Sequence, residues 1–123
     1  MSSQMTFFQR SAQFWSVLVM AARTQQVLSY ELLSAMTGTP ARGQGFILGN
    51  ILFYCQQKKL PLLPSIVLRQ DTGRAADPLF NAQSFDLAAE HRRVFIFDWL
   101  KNGCPTPDEF EHARESRETT VSA

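Results

Sequence analysis

A serine, a glycine and a proline mark the two ends of a short helix in the first third of this 123-residue chain. Ser29 suits the N-cap position because its hydroxyl can accept a hydrogen bond from the first helical turn, and Glu31 suits the positive end of the helix dipole. Gly38 can adopt the left-handed conformation that ends a helix, and Pro40 prevents the helix from continuing. These signals predict a helix over Tyr30–Met36 followed by a turn, the first two parts of a helix-turn-helix.

Two longer helices are predicted on either side of this segment. Apolar residues at steps of three and four give a broad apolar face to the stretch from Thr6 to Arg23. A third helix is predicted to begin near Pro40–Gln44 and to run to about Lys59. Its predicted inward face consists of Phe46, Ile47, Asn50, Ile51 and Tyr54.

A strand and a turn are predicted after the third helix. Apolar and polar residues alternate over Ser65–Gln70 as in a strand, and Asp71–Gly73 is a turn signal. The return arm, Arg74–Phe80, contains Pro78, which removes a ladder hydrogen bond. A second strand there is therefore expected to be short or to lie at an edge, so that the two arms form a small β-wing.

The last core helix is predicted to begin at Ser84 or Asp86 and to end near Lys101. The order of helix, helix-turn-helix, strand, turn, short strand and helix is that of a small winged helix. The predicted fold class is therefore mostly α, with the short β-wing making it an α+β protein. Residues 1–103 are predicted to form this domain, and residues 104–123 an acidic, partly disordered tail.

The net charge of +1 conceals an uneven distribution of charge along the chain. Residues 1–70 contain six basic residues and one acid, a net charge of +5, whereas residues 104–123 contain five acids and two arginines, a net charge of −3. A basic body of this kind suits nucleic acid or another anionic partner, and charge alone fits a merely solvated surface equally well. If the acidic tail is flexible, it is expected to compete with an anionic ligand for that body.

Several classes of function find no support in the sequence. No apolar run approaches the length of a membrane span, and the first residues have no basic segment before an apolar one, so a cytoplasmic location is predicted. Cys55 and Cys104 are too few for a disulfide scaffold, and His91 and His112 do not stand at metal-ligand spacing from either. We therefore predict no metal, no cofactor and no small-molecule substrate.

Several short motifs occur in an order that is known from one protein family. The chain from Phe8 to Phe80 resembles the DNA-binding domain of O6-alkylguanine-DNA alkyltransferases and of their catalytically inactive alkyltransferase-like relatives. The matching motifs are Phe14-Trp15 with Leu18, Val27-Leu28-Ser29-Tyr30, the spacing Tyr30-x7-Gly38-x-Pro40, Leu62-Leu63-Pro64, Val67-Leu68-Arg69 and Asp71-Thr72-Gly73. The resemblance implies a winged helix that binds duplex DNA.

The chain departs from this family at the reactive motif Pro-Cys-His-Arg. Ser65 stands where the family has its reactive cysteine, and Ile66-Val67 replaces the His-Arg pair. Alkyl transfer requires a thiolate made by a nearby base, so the chain is predicted not to be an enzyme. Gln44 stands at the place of the family's intercalating arginine, and Arg42 lies two residues away.

The leading hypothesis is a non-enzymatic DNA-binding protein whose third helix lies in a groove with its first residues nearest the bases. Arginine and glutamine can read base edges, hydroxyl groups and helix N-termini can hold phosphates, and basic residues of the wing can hold the backbone. The residues predicted to contact DNA are Ser29, Tyr30, Arg42, Gln44, Lys58, Arg69 and Arg74.

The alternative hypothesis is a protein-interaction module, for instance a small regulator or inhibitor encoded by a mobile element. It would use the same scaffold to bind a protein partner or a second copy of the chain. Its basis is an excess of large aromatic side chains over what one small core needs. The aromatic residues in question are Phe7, Phe8, Phe85, Phe95, Phe110 and Trp99.

Overall fold

The computed structural model describes residues 5–75, 77–101 and 103–122 and is mostly helical, with one short two-stranded sheet among those residues. The predicted class, mostly α with a small β component, is confirmed. Parts of the predicted domain, return arm and tail lie outside the described residues, at positions 1–4, 76, 102 and 123.

Helix α1, Phe7–Arg23, begins at a reciprocal hydrogen-bonded cap. The Thr6 hydroxyl accepts from the Gln9 N–H, and the Gln9 side chain accepts from the Thr6 N–H. This pair satisfies two of the backbone donors that a helix start leaves open. The helix buries an apolar face that includes Phe14, Leu18 and Ala22, each fully enclosed.

The short helix predicted from the serine, glycine and proline signals is present. Strand β1, Leu28–Ser29, leads directly into helix α2, Tyr30–Thr37. The Ser29 hydroxyl accepts from the Leu32 N–H at 3.0 Å, and Gly38 follows the helix at φ 76°. A left-handed residue at this position is tolerated best as glycine, which explains why the helix ends there.

Helix α3, Gln44–Lys58, follows a 3₁₀ turn over Ala41–Gly43. Its buried positions include Ile47, Ile51 and Cys55, which recur at helical spacing. Phe46, predicted to face inward, is exposed instead. Its position on the helix lies about 100° from that of Ile47, on the side of the stripe away from the core.

The strand that follows α3 has a different partner from the predicted one. A 3₁₀ turn, Leu63–Ile66, leads into strand β2, Val67–Leu68, which pairs in parallel with β1 in the register Leu28↔Val67 and Ser29↔Leu68. The predicted β-wing pairing with Arg74–Phe80 is therefore wrong among the described residues, where β2 pairs with β1 alone.

The return arm forms a helical turn instead of a strand. The Arg69 N–H donates to the Arg74 carbonyl at 2.7 Å, and no strand follows in the described part of the arm. Helix α4, Pro78–Asn81, begins there because Asp77 accepts from the Leu79 N–H and a proline suits the first helical position.

Helix α5, Leu87–Ile96, begins at the N-cap Asp86, one of the two predicted starts. It ends before the predicted Lys101 because Phe97 adopts an extended conformation at φ −73° and ψ 141°. Trp99 then folds back, and its indole N–H donates to the Val94 carbonyl at 2.8 Å. Trp99 is thus buried in the core beyond the end of the helix, whereas Leu100 stays exposed.

Helix α6, Pro107–Ser122, is part of the core, and the structure differs here from the predicted boundary at residue 103. Phe110 and Ala113 are buried against α1 and α3, and the Phe110 ring lies 5.6 Å from the Tyr54 ring and 6.1 Å from the Trp15 ring. Burial of these apolar side chains holds the segment against the core. The predicted partly disordered tail after residue 103 is therefore replaced by a packed helix.

Candidate nucleic-acid interface

An open hollow of about 260 Å³ lies where the helix-turn-helix begins. It is lined by Tyr30 and Glu31 from the start of α2, by Ala41 and Arg42 from the turn before α3, and by Arg69. Arg42 and Arg69 are both exposed, so two basic residues from distant parts of the chain line the same open space.

The parallel sheet brings Arg69 to this hollow. Ser29 and Leu68 are register partners in β1 and β2, and each strand passes its next residue, Tyr30 or Arg69, to the same end of the sheet. A single pair of two-residue strands therefore sets the distance between the start of α2 and the cation that follows β2.

Arg69 also has an acidic neighbour. Its guanidinium lies 3.4 Å from the Asp71 carboxylate, and both side chains are largely exposed. A hydrogen bond from Arg69, reinforced by its positive charge, lowers the pKa of Asp71. Exposed ion pairs of this kind contribute little free energy, so Arg69 can exchange Asp71 for a phosphate at small cost.

Gln44 was predicted to contact DNA, and this prediction is wrong because the residue does not contact solvent. It is fully buried, and its side-chain amide donates to the Tyr30 carbonyl at 2.9 Å and to the Thr39 carbonyl at 3.4 Å. The side chain thus ties the start of α3 to the start of α2. The preceding 3₁₀ turn makes Gln44 the first inward residue of the helix.

Of the other residues predicted to contact DNA, some lie near the hollow and one does not. Arg74 is exposed and is joined to Arg69 by a backbone hydrogen bond, which places it near the hollow. The Ser29 hydroxyl is occupied as the N-cap of α2. Lys58 stands at the opposite end of α3, about 20 Å from Arg42, beside Asp108 and Glu109 of α6. Lys58 is therefore not part of the same surface.

Tyr30 is buried, as is usual for a core aromatic, and still borders two spaces. Besides the hollow, it lines an apolar cavity of about 240 Å³ between α3 and α4. Leu48 and Leu52 of α3 and Phe80 of α4 line the same cavity. Tyr30 thus separates a cationic hollow from an apolar cavity, a position that the sequence did not indicate.

The residues that replace the family's reactive motif are enclosed. Ser65 is fully buried, and its hydroxyl has no hydrogen-bond partner among the described residues. His91, the nearest base, contacts the Ser65 backbone carbonyl through Nε2 at 2.7 Å and not the hydroxyl. Burial also raises the pKa of the Cys55 thiol to about 12. Neither side chain is a nucleophile that a substrate can reach.

Helices α1 and α3 together form an exposed aromatic pair. Phe7 of α1 and Phe46 of α3 stand with ring centroids 5.1 Å apart, and the Arg114 guanidinium from α6 lies 3.7 Å from the centre of the Phe46 ring. The sequence predicted that Phe46 faces the core, and it did not indicate that α6 reaches this residue. One signal was available for a surface role of α1 and α3, which is that neither helix contains an acidic residue.

No group of three metal-ligating side chains occurs within residues 5–75, 77–101 and 103–122, and none of the helices described there could cross a membrane. Comparison with protein-family models, with curated proteins and with solved structures found no match. Function must therefore be inferred from the residues of the chain itself.

Proposed function

We propose that this chain is a non-enzymatic duplex-DNA-binding protein that uses the start of its helix-turn-helix. The observation that carries the proposal is the placement of Arg42 and Arg69 around one hollow, with Arg74 next to it. Phosphate groups are held by arginines and by the N-terminal ends of helices, and α2 begins in this hollow. Glu31 also lines the hollow, and it is the one acid within residues 1–70, against six basic residues.

Salt dependence tests this proposal. With three or four phosphate contacts, affinity for a duplex is expected to fall about 40- to 150-fold between 50 and 200 mM salt, because bound counterions are released. Fluorescence anisotropy of a labelled duplex across a salt series measures the fall. A protein that retains no duplex at the lowest salt concentration contradicts the proposal.

Arginine variants locate the contact. Arg42→Ala and Arg69→Ala are each expected to reduce the slope of log affinity against log salt by about 1, which lowers affinity at 100 mM salt by about fivefold to tenfold. Lys101→Ala is the matched control because Lys101 is exposed and does not line the hollow. Equal effects of the three substitutions would mean that net charge, and not this surface, binds the duplex.

The non-enzymatic part of the proposal has a separate test. Incubation with an oligonucleotide that carries an O6-alkylguanine is expected to leave the mass of the protein unchanged. The reason is that Ser65 is enclosed and that the Cys55 thiol is buried and protonated. A covalent alkyl adduct on either residue, detected by mass spectrometry, would refute this part.

A second candidate function, association with a protein, is favoured by one exposed aliphatic surface. Ile96 is 83% exposed, and four residues later Leu100 lines a hollow with Met20 and Trp99. Apolar side chains that cluster at a surface often mark an interface. Of the aromatic residues predicted for this role, Phe110 and Trp99 are buried in the core. If the surface joins two copies, sedimentation should show a dimer that Ile96→Glu abolishes.

A further inference from the structure

The aromatic pair of Phe7 and Phe46 is unusually exposed for side chains of its size. Phe7 is 54% exposed and Phe46 41% exposed, and their rings are inclined at 45° to each other. The two residues come from different helices, so the pair is built by the packing of α1 against α3. Because the Arg114 guanidinium covers one face of the Phe46 ring at 3.7 Å, the more exposed Phe7 ring offers the apolar face that a ligand can reach.

The Arg114 side chain contacts this pair. The Arg114 guanidinium lies over the Phe46 ring, and its N–H groups donate to the Asn50 side chain and to the Phe46 carbonyl. Arg10 follows Phe7 by one helical turn, and its guanidinium donates to the Thr37 carbonyl. The positive charge at the pair is thus fixed in position by hydrogen bonds.

Acidic side chains are absent from the elements that carry the pair. Neither α1, nor the turn before α3, nor α3 itself contains an aspartate or a glutamate. The acids closest in sequence to Arg114 are Glu111 and Glu115 on α6, both exposed. Arg114 is thus flanked by acids on its own helix, and the side of the pair that α1 and α3 form is the side that suits an anionic ligand with flat rings.

We infer that the Phe7 ring, supported by Phe46, stacks against unpaired nucleobases of a single strand that continues from the bound duplex. This inference rests on the proposed duplex binding and adds a class of ligand to it. Arg42 precedes Phe46 by one helical turn, about 6 Å along the axis, so a strand held at Arg42 meets the aromatic pair next. Every base has a π-face, and an aromatic side chain can stack on it without selecting a sequence.

The test compares four labelled DNA ligands with the full chain at one salt concentration. They are a blunt duplex, the same duplex with a six-nucleotide single-stranded extension, the same extension without bases, and the extension strand alone. The abasic extension adds the phosphates without the rings, so it separates stacking from charge. We expect the extension with bases to bind about tenfold more tightly than the abasic one.

Variants assign the gain to the aromatic pair. Phe7→Ala and Phe46→Leu are each expected to remove most of the tenfold preference for bases and to leave the affinity for the blunt duplex unchanged. Phe7→Trp is expected to keep the preference because it retains an exposed ring. Leu32→Ala is the control, since Leu32 is an exposed apolar residue on α2 outside the pair. Circular dichroism checks that each variant is folded.

The outcomes separate the two proposals. Equal binding of the extensions with and without bases, or a preference that survives both Phe7→Ala and Phe46→Leu, overturns the inference about the aromatic pair and leaves that surface to a protein partner. Failure to bind the blunt duplex refutes the proposed function instead. In that case, a base-dependent affinity for the single strand alone that is lost in Phe7→Ala still supports the aromatic pair.

Discussion

Phe110→Ala is expected to lower the free energy of unfolding by about 3–5 kcal/mol. Phe110 is fully buried, and its ring packs against Trp15 of α1 and Tyr54 of α3. Truncation therefore removes the apolar contact area and leaves a cavity between three helices that cannot close independently. For a domain of this size, such a loss is a large part of the whole stability.

Urea denaturation followed by tryptophan fluorescence measures this change. Phe7→Ala is the matched control, because it removes the same atoms from an exposed position and is expected to change stability by less than about 0.5 kcal/mol. A loss below about 1 kcal/mol for Phe110→Ala would show that α6 does not belong to the cooperative unit.

This result bears on the acidic C-terminal segment. A chain that ends at Gly103 lacks Phe110 and Ala113, both buried, and is expected to unfold. Its DNA affinity would therefore say nothing about competition between the segment and an anionic ligand. That competition is tested by neutralising exposed acids of the folded helix, for example by Glu111→Gln together with Glu115→Gln.

The second large effect concerns the two thiols. A thiol-reactive reagent is expected to modify Cys104 of the native protein and to leave Cys55 unmodified. Cys55 is fully enclosed, and burial raises its pKa to about 12, so its thiolate at neutral pH is scarcer than that of an ordinary cysteine by about a thousandfold or more. Burial also raises the pKa of Cys104, but that residue is exposed to the reagent.

Mass spectrometry distinguishes the two sites. One adduct is expected for the native protein and two after unfolding in urea, and Cys104→Ser should show none until it unfolds. Raising the pH from 7 to 9 increases the thiolate fraction of both cysteines, but Cys55 stays almost wholly protonated and enclosed, so only the modification of Cys104 should become measurably faster. Two adducts in the native state at pH 7 would contradict the enclosure of Cys55.

Elements that depend on local signals were predictable from the sequence. The N-cap at Ser29, the left-handed Gly38 and the N-cap at Asp86 each act within a few residues of the chain. The same holds for the cap at Thr6, which was predicted as the helix start and is the N-cap of a helix that begins at Phe7. Hydrogen bonds of this range are specified by the residues that make them, so the helix-turn-helix could be predicted without knowledge of the core.

The features that depend on distant partners could not be predicted. Gln44 has the polarity of a surface residue. Its burial depends on a hydrogen bond that its side-chain amide donates to the Tyr30 carbonyl, 14 residues earlier in the chain. Two-residue strands are too short for alternation to identify a partner, so β2 was assigned to the wrong neighbour. Helix α6 is rich in charged residues, and the two side chains that carry it into the core are the buried Phe110 and Ala113.

For the candidate site, the basic charge could be predicted from the sequence, whereas the positions of the side chains in space could not. The sequence indicated a basic surface and named Arg42, Arg69 and Arg74, which the structure places in one region. It also named Lys58, although the last residue of α3 is far from the turn that carries Arg42. Phe7 was among the aromatic residues predicted for an interface, whereas its exposed neighbour Phe46 was missed because its position in the helical pattern assigned it to the core.

The packing of Phe110 on Trp15 has a consequence for the order of events on the ribosome. The two side chains come from opposite ends of the chain, so α1 and α3 must wait for α6 before their shared apolar surface is covered. At a translation rate of about 5–20 residues per second, that interval lasts several seconds after α3 has been made. During it the nascent chain exposes a large apolar surface, which makes it a substrate for chaperones and a hazard for aggregation.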